Sequence, residues 1–192
     1  MRLYNITGFP NILQPNRQIK MCYSWNILEM FLFKERRPVH KLKQCAWSPA
    51  QFDGARKKGN VTGISCLVID VDEKHTMYEV GANLMIRDVK ALMHTSVSHT
   101  PEKEKFRVIL PMADDAPAEE WPYYYEALGL WWKELLGEDA IFDFSTKDAS
   151  RLYFVGYHTE YWSCTSIDGK ILNWHKRATA VKRQRQKEEK ER

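Results

Sequence analysis

Between Ile64 and Val71 the chain is almost wholly apolar and β-branched, softened only by Ser65 and Cys66 before Asp70. A continuous run of this kind reads as a buried strand. At its end stand Asp70 and Asp72. Side chains two residues apart in a strand share a face, so the two carboxylates point the same way, roughly 7 Å apart. Placed there they repel each other, and they are costly to keep unless a cation sits between them. Mg²⁺ or Mn²⁺ suits such a pair, because these hard ions take carboxylate oxygen and keep positions open for phosphate and water. An isolated D-x-D can equally be a strand running into solvent with its acids forming the turn. The rest of the chain decides between the two.

At 192 residues the chain has room for one full domain, or for two small lobes sharing a cleft. Its 44% hydrophobic and 28% charged content is that of a soluble globular protein. No run approaches the roughly 18 apolar residues of a membrane span. The N-terminus lacks the apolar core of a signal peptide. Cys22, Cys45, Cys66 and Cys164 are scattered with no C-x-x-C pair. That argues against a zinc ribbon and for reduced thiols, so a cytoplasmic protein with no membrane partner is expected. The net charge of +4 is unevenly placed: from His175 onward eight Lys or Arg face three Glu, which leaves the body near neutrality. A nucleic acid bound by the body would need a local basic track.

Residues 1–20 read as irregular, with one short strand. Ser24 is a fair N-cap for a helix over Trp25 to Phe33, ended by Pro38. Leu42 to Trp47 is a candidate strand. Ser48-Pro49 predicts a helix to about Lys57, with Arg56, Lys57 and Lys58 as a small basic cluster at its end. After the D-x-D strand come a helix from Met77 to about Ala91, a strand from Leu92 to Ser98, a polar hairpin and an apolar strand from Phe106 to Pro111. A helix rich in Trp and Tyr follows to Leu136, closed by Gly137. The remainder reads as a short apolar segment at Ile141–Phe144, a turn at 145–150, and strands at Arg151–Tyr157, Tyr161–Ser166 and Lys170–Trp174. From 175 to 192 the chain is a basic helical or disordered tail or linker. The element order predicts an α+β protein with a mixed or antiparallel sheet covered by helices. No phosphate-binding P-loop and no G-x-G-x-x-G is present.

Three separated segments put charged groups at the ends of apolar strands. The first is Asp70 with Asp72. The second is Ser98-His99, with Lys105 and Arg107 across the hairpin. The third is Ile141-Phe142-Asp143, with Arg151 opening the next strand. Asp143 would be the third carboxylate of a metal site. Arg107 and Arg151 interrupt apolar strands, which is expensive unless each meets an anion. Three carboxylates among Arg, Lys and His form the inventory for two-metal phosphoryl transfer.

In these segments the chain resembles the archaeo-eukaryotic primase (AEP) superfamily, in particular the primase–polymerases of phage and plasmid replication. Leu67-Val68-Ile69-Asp70-Val71-Asp72 resembles its first motif, and Ile141-Phe142-Asp143 its third. Residues 95–111 and 145–151 are similar in flavour, so the resemblance covers roughly residues 45–160. The family's second motif is S-x-H, whereas here Ser98 directly precedes His99. Either His99 fills that role from a shifted frame, or Arg107 replaces it. The resemblance implies an AEP-like catalytic core over 1–174: an N-terminal αβ unit of about 1–60 and an RRM-like unit of about 61–174, with the site in the cleft between them. It implies two Mg²⁺ or Mn²⁺ ions on Asp70, Asp72 and Asp143, with nucleotide phosphates on Arg107, His99, Ser98, Arg151 and Lys105. Arg56, Lys57 and Lys58 are candidate nucleic-acid contacts. The implied partners are a single-stranded DNA template, NTP or dNTP, and a helicase domain C-terminal to this stretch, in a bacterial, archaeal or viral replication context.

The function expected is therefore that of a DNA primase/polymerase. Two alternatives use the same residues. A metal-dependent nuclease would activate water on the same acids, with His99 or His94 as base. A non-catalytic nucleic-acid-binding module of a replication initiator would need the RRM-like sheet and no acids in line.

Overall fold

The computed structural model describes residues 1–14, 16–37, 40, 43–144, 147–155 and 159–191. It is an α+β fold with two antiparallel sheets. The strands are β1 (Tyr4–Phe9), β2 (Ile19–Tyr23), β3 (Ala46–Ser48), β4 (Ala50–Phe52), β5 (Val61–Val71), β6 (Ala91–Thr95), β7 (Phe106–Pro117), β8 (Tyr153–Phe154) and β9 (Cys164–Ile167). The helices are α1 (Trp25–Phe33), α2 (Met77–Ile86), α3 (Trp121–Leu136) and α4 (Trp174–Glu191). The first sheet runs β2-β1-β3-β8 and the second β4-β5-β7-β6-β9.

β5 lies inside the second sheet and is buried on both faces. Cys66 and Val68 pack with Leu92 and Ile109 against Tyr4, Ile6, Trp47 and Tyr153 of the first sheet and Leu28 and Leu32 of α1. Leu67, Ile69 and Val71 pack the other way, with Val80 and Leu84 of α2, Leu128 and Trp132 of α3 and Trp174 of α4. The two-residue side-chain period thus sends alternate residues of one strand into two different cores. β4, on the N-terminal side of residue 60, pairs with β5, while β8, far along the chain, pairs with β3 of the first sheet.

Local signals place several elements. Ser24 Oγ accepts from Ile27 N at 3.4 Å to start α1, and Thr76 Oγ1 accepts from Glu79 N at 3.0 Å to start α2. α2 stops short of the expected Ala91, because Asp88 takes a left-handed φ of 54° and Ala91 already belongs to β6. Pro122 sits in the first turn of α3, and Gly137, at φ 107°, ends it.

Three expectations need correction, and the tail takes the helical of its two expected forms, docked rather than solvated. Residues 1–20 hold a full strand and the start of another, paired as a hairpin from Tyr4↔Tyr23 to Gly8↔Ile19. Ser48-Pro49 does not open a helix. Ser48 Oγ accepts from Ala50 N at 3.2 Å, and Ala50 pairs with Ile64, because burial of Trp47 in one core and of Ala50 and Phe52 in the other outweighs what a short solvated helix offers. The expected strand at Lys170–Trp174 is absent: Asn173 Oδ1 accepts from Lys176 N at 2.9 Å and caps α4. The tail is a docked helix. Trp174, Ala178 and Val181 are buried, Trp174 meets Trp131 edge-on at 5.3 Å, and Arg177, Lys182 and Arg185 pair with Glu134, Glu120 and Glu126 of the α3 region. The start of the Leu42–Trp47 strand, the Ser145-Thr146 part of the expected turn and the end of the Arg151–Tyr157 strand lie outside the described residues. Among the described residues no helix is long and apolar enough to cross a membrane.

Leu67→Ala, on the helix-facing side of β5, should lower unfolding free energy by about 2–5 kcal/mol. Lys187→Ala on the exposed side of α4 should stay within about 0.5 kcal/mol of the parent. Urea midpoints of the two variants check both values; equal midpoints would contradict this division of core and surface.

Candidate active site

Asp70 is the penultimate residue of β5. Its cross-strand neighbour on β7 is Arg107, whose neighbour on β6 is His94. By alternation from Val68, Ile109 and Leu92, all three face the first sheet. Arg107 Nε donates to Asp70 Oδ1 at 2.6 Å, and its Nη1 donates to the Phe154 carbonyl at 2.8 Å. Arg151 Nη2 donates to the other carboxylate oxygen, Asp70 Oδ2, at 3.2 Å. Each oxygen of Asp70 therefore holds one guanidinium. The side chains of Asp70 and Arg107 are only 15% and 12% exposed, while Arg151 is 36% exposed.

β8 supplies the floor. The guanidinium carbons of Arg107 and Arg151 stand 5.7 and 5.9 Å from the centre of the buried Tyr153 ring, which itself packs on Trp47 at 5.9 Å. The loop leading to Arg151 is pinned: Arg56 Nη1 donates to the Ser150 carbonyl at 2.9 Å, and Asp148 Oδ1 accepts from Ser150 N at 2.9 Å. One strand position further out, Asp72 pairs with Lys105 at 3.0 Å, and Asp72 is 62% exposed. Acids at alternate positions leaving β5 thus face cations at alternate positions entering β7.

Burial alone would raise the pKa of Asp70. The charge of Arg107, then that of Arg151, and the hydrogen bonds from both outweigh it, so the carboxyl titrates below its ordinary range. Burial, reinforced by the Arg107 charge, pushes His94 down to about 3, so its ring is neutral at physiological pH. His94 Nδ1 donates to the Thr95 carbonyl at 3.0 Å, and the buried Nε2 has no hydrogen-bond partner among the described residues.

The expected site residues separate into groups. Asp70, Arg107 and Arg151 converge, with Asp72 and Lys105 beside them. Of the two candidates for the second-motif role, Arg107 is in the cluster. His99 sits at the base of the hairpin, where its N donates to the Ser96 carbonyl and its Nδ1 accepts from Lys105 N, both at 3.1 Å; it lines a groove beside α2. Ser98 is exposed, its Oγ 3.1 Å from that of Ser96. Lys57 and Lys58 are exposed at a 3₁₀ turn before β5, whereas Arg56 is half-buried and engaged with Ser150.

Asp143 is exposed on an irregular segment whose flanking Phe142 and Phe144 pack on each other at 4.9 Å and against Tyr125 of α3. Its carbonyl accepts from Tyr125 Oη at 2.8 Å. Among the described residues no three or more His, Cys, Asp or Glu side chains come together to hold a metal ion. The arrangement therefore does not fit a two-ion centre on Asp70, Asp72 and Asp143. The donor set explains why: both oxygens of Asp70 are taken by guanidiniums, and two carboxylates face three cations.

Sequence reasoning missed Tyr153 as the shared platform and Arg56 as the anchor of the Arg151 loop. Tyr153 was within reach, since it lies two residues after Arg151 and shares its strand face. The Arg56–Ser150 contact spans 94 residues and carries no local signal.

Asp70→Asn should cost about 3 kcal/mol at pH 7, because it leaves two largely buried guanidiniums facing a neutral amide. The folded pKa of Asp70 lies below the unfolded value, so its contribution is complete above roughly pH 5 and fades as pH falls through the folded pKa. Urea unfolding should therefore show a constant gap between parent and variant above that pH, closing in stronger acid; a gap unchanged down to pH 2 would contradict the pairing. His94 acts in another window. Its unfolded pKa is near 6.5 and its folded pKa about 3, so stability falls as pH drops between them. His94→Gln should remove a slope of up to about 1.4 kcal/mol per pH unit in that range.

Residues 50–186 match the family model described as VapE N-terminal domain. No curated protein matches the chain. Among solved structures, the AEP domain of the cyanophage S-2L primase-polymerase (PrimPol) is similar with a TM-score of 0.47 and 11% identity, over 92% of this chain and 88% of that one. Since the family model spans well over half the chain, including both strands that carry Asp70 and Arg107, this protein belongs to the VapE N-terminal domain family.

Proposed function

We propose that this chain is an AEP-type primase–polymerase domain that joins nucleotides on a single-stranded DNA template during replication. The observation that carries the reading is the pair of guanidiniums, Arg107 and Arg151, held side by side between the two sheets with Lys105 next to them. Three cations fixed within one cleft suit a triphosphate. In the reaction a primer or first-nucleotide 3′-oxygen bonds to the α-phosphorus of an NTP or dNTP. The bond from that phosphorus to the bridging oxygen breaks, and pyrophosphate leaves. Arg107 and Arg151 hold the β- and γ-phosphates and take up the charge that grows on the leaving group. Lys105 adds a third cation, and Tyr153 keeps the two guanidiniums oriented. His99 and Ser98 at the hairpin remain candidate contacts to the rest of the nucleotide.

Mg²⁺ or Mn²⁺ is expected from the resemblance to AEP enzymes and would supply charge neutralisation for the phosphates. Both oxygens of Asp70 are engaged by arginines, so the steps above rest on the protein's own cations. Lys57 and Lys58 remain the candidate template contacts, with Arg56 acting instead as the anchor of the Arg151 loop. The location is read as cytoplasmic, in a phage or plasmid replication setting, and a helicase as the partner C-terminal to this stretch. The alternative of a non-catalytic RRM-like module is disfavoured because both faces of the second sheet are covered, which leaves no open sheet on which bases could stack. The nuclease alternative is disfavoured because His94 is buried and His99 spends Nδ1 on the hairpin backbone.

The test is incorporation of labelled NTP or dNTP with Mg²⁺ or Mn²⁺ on single-stranded DNA, with and without an annealed primer. Asp70→Ala/Asp72→Ala should abolish products, and Arg107→Ala should lower the rate by about 100-fold or more. Shortening of the template would instead support a nuclease. DNA binding with neither outcome would support the binding module.

A further inference from the structure

Helix α4 divides its charges between two faces. On the side toward α3, Arg177, Lys182 and Arg185 pair with Glu134, Glu120 and Glu126. On the opposite side Lys176, Arg183, Lys187 and Lys190 are exposed. At about 100° per residue these four fall within an arc of about 60°, across the helix from the buried Trp174, Ala178 and Val181. The acids Glu188, Glu189 and Glu191 all lie outside that arc. Among the described residues Lys176, Arg183 and Lys190 make no ion pair, and Lys187 has only a long contact with Glu191 at 3.7 Å. Arg183 and Lys187 stand at i, i+4, and Lys187 and Lys190 at i, i+3, spacings at which like charges oppose helix formation. A face shaped for solvation alone would interleave the two signs.

We propose that this stripe is a docking surface for the phosphate backbone of double-stranded DNA, bound without regard to sequence. From Lys176 to Lys190 the stripe runs about 21 Å, over which one strand of a duplex presents roughly six phosphates. It carries no aromatic side chain. The bases of a single strand would find nothing there to stack on, whereas a duplex turns its phosphates outward. An anionic membrane is the poorer match, because the apolar residues of α4 are buried against α3 and cannot enter a bilayer. The surface is separate from the Asp70 cleft: α4 belongs to the helix layer on one face of the second sheet, and Asp70 and Arg107 lie on the other. A duplex held on α4 tethers the domain to DNA and leaves the cleft open. The choice of DNA rests on the proposed role in replication; the preference for a duplex does not.

The test is fluorescence anisotropy of a labelled DNA duplex titrated with the purified chain over a range of salt concentrations. The assay contains no nucleotide and no divalent cation, so it and the nucleotidyl-transfer reading fail separately. Lys176→Gln/Arg183→Gln/Lys190→Gln should lower affinity at low salt by at least about tenfold and flatten the slope of log K against log salt by about 2–3. Arg17→Gln/Lys20→Gln/Lys170→Gln removes the same charge from exposed positions outside α4 and should change affinity by less than about threefold. A single strand of the same length should lose less than about threefold in the α4 variant. Circular dichroism establishes folding of each variant. If the triple α4 variant does not fold, Arg183→Gln carries the comparison, with a slope change of about 1. Equal losses in the two triple variants, or an unchanged slope, would overturn the stripe, and an equal loss on the single strand would overturn the duplex. So would a parent that ignores duplex but sediments with phosphatidylserine vesicles through the same three residues, which would assign the face to a membrane.

Discussion

A strand buried on both faces must satisfy two neighbours at once, and β5 sets that condition for the whole molecule. Its alternate residues enter two cores, one closed by α2, α3 and α4, the other by the first sheet and α1. Water is excluded from either side, so a polar side chain on β5 needs a partner inside the protein. The strand carries two such requirements on the face toward the first sheet. At the bulge near its start, Ser65 Oγ lies 2.8 Å from both the Asn5 carbonyl and Asp115 Oδ1, and Asp115 also engages Gln51, Asn5 and Arg2. At its end, Asp70 engages Arg107 and Arg151. The two sheets are thus riveted by a carboxylate at each end of the apolar layer between them.

Only one of these rivets has the composition of a working site. Asp115 draws mainly neutral donors and one arginine, so little charge is left for a ligand. Asp70 draws two arginines, and the excess positive charge is the usable feature of the cleft. Desolvation and Coulomb attraction oppose each other at Asp70, and attraction wins because both oxygens are charge-assisted acceptors. The same field acts on His94 without a compensating anion in contact with it, and there desolvation wins. Two neighbours on one sheet face are therefore driven below their ordinary pKa values for different reasons.

Much of this was legible in the residues, where the signal was local. The apolar run of β5, the Ser24 cap, the Pro122 start and Gly137 stop of α3, and the requirement that Arg107 and Arg151 meet an anion follow from short stretches of chain. The failures have a common cause. Ser48-Pro49 carries a strong local helix signal, and tertiary burial of Trp47 and Phe52 overrides it. The partner that Arg107 and Arg151 meet in the folded chain is not a local matter either: both pair with Asp70, 37 and 81 residues away. Asp143 sits on the expected segment, but the packing of Phe142 and Phe144 on α3, which sets its position, depends on contacts that no motif spacing encodes.

The two-residue strand β8 has a topological consequence. Tyr153 and Phe154 lie about a hundred residues after their pairing partners Trp47 and Ala46, so the first sheet closes only once most of the chain has been laid down. The stretch matched by the family model begins at residue 50, just past those partners. Cutting there would uncover one whole face of β5 and leave the support beneath both arginines without its anchor. The boundary of recognisable sequence and the boundary of a self-sufficient folding unit therefore fall at different places, and the segment before residue 50 is as much a part of the candidate cleft as the motifs that follow it.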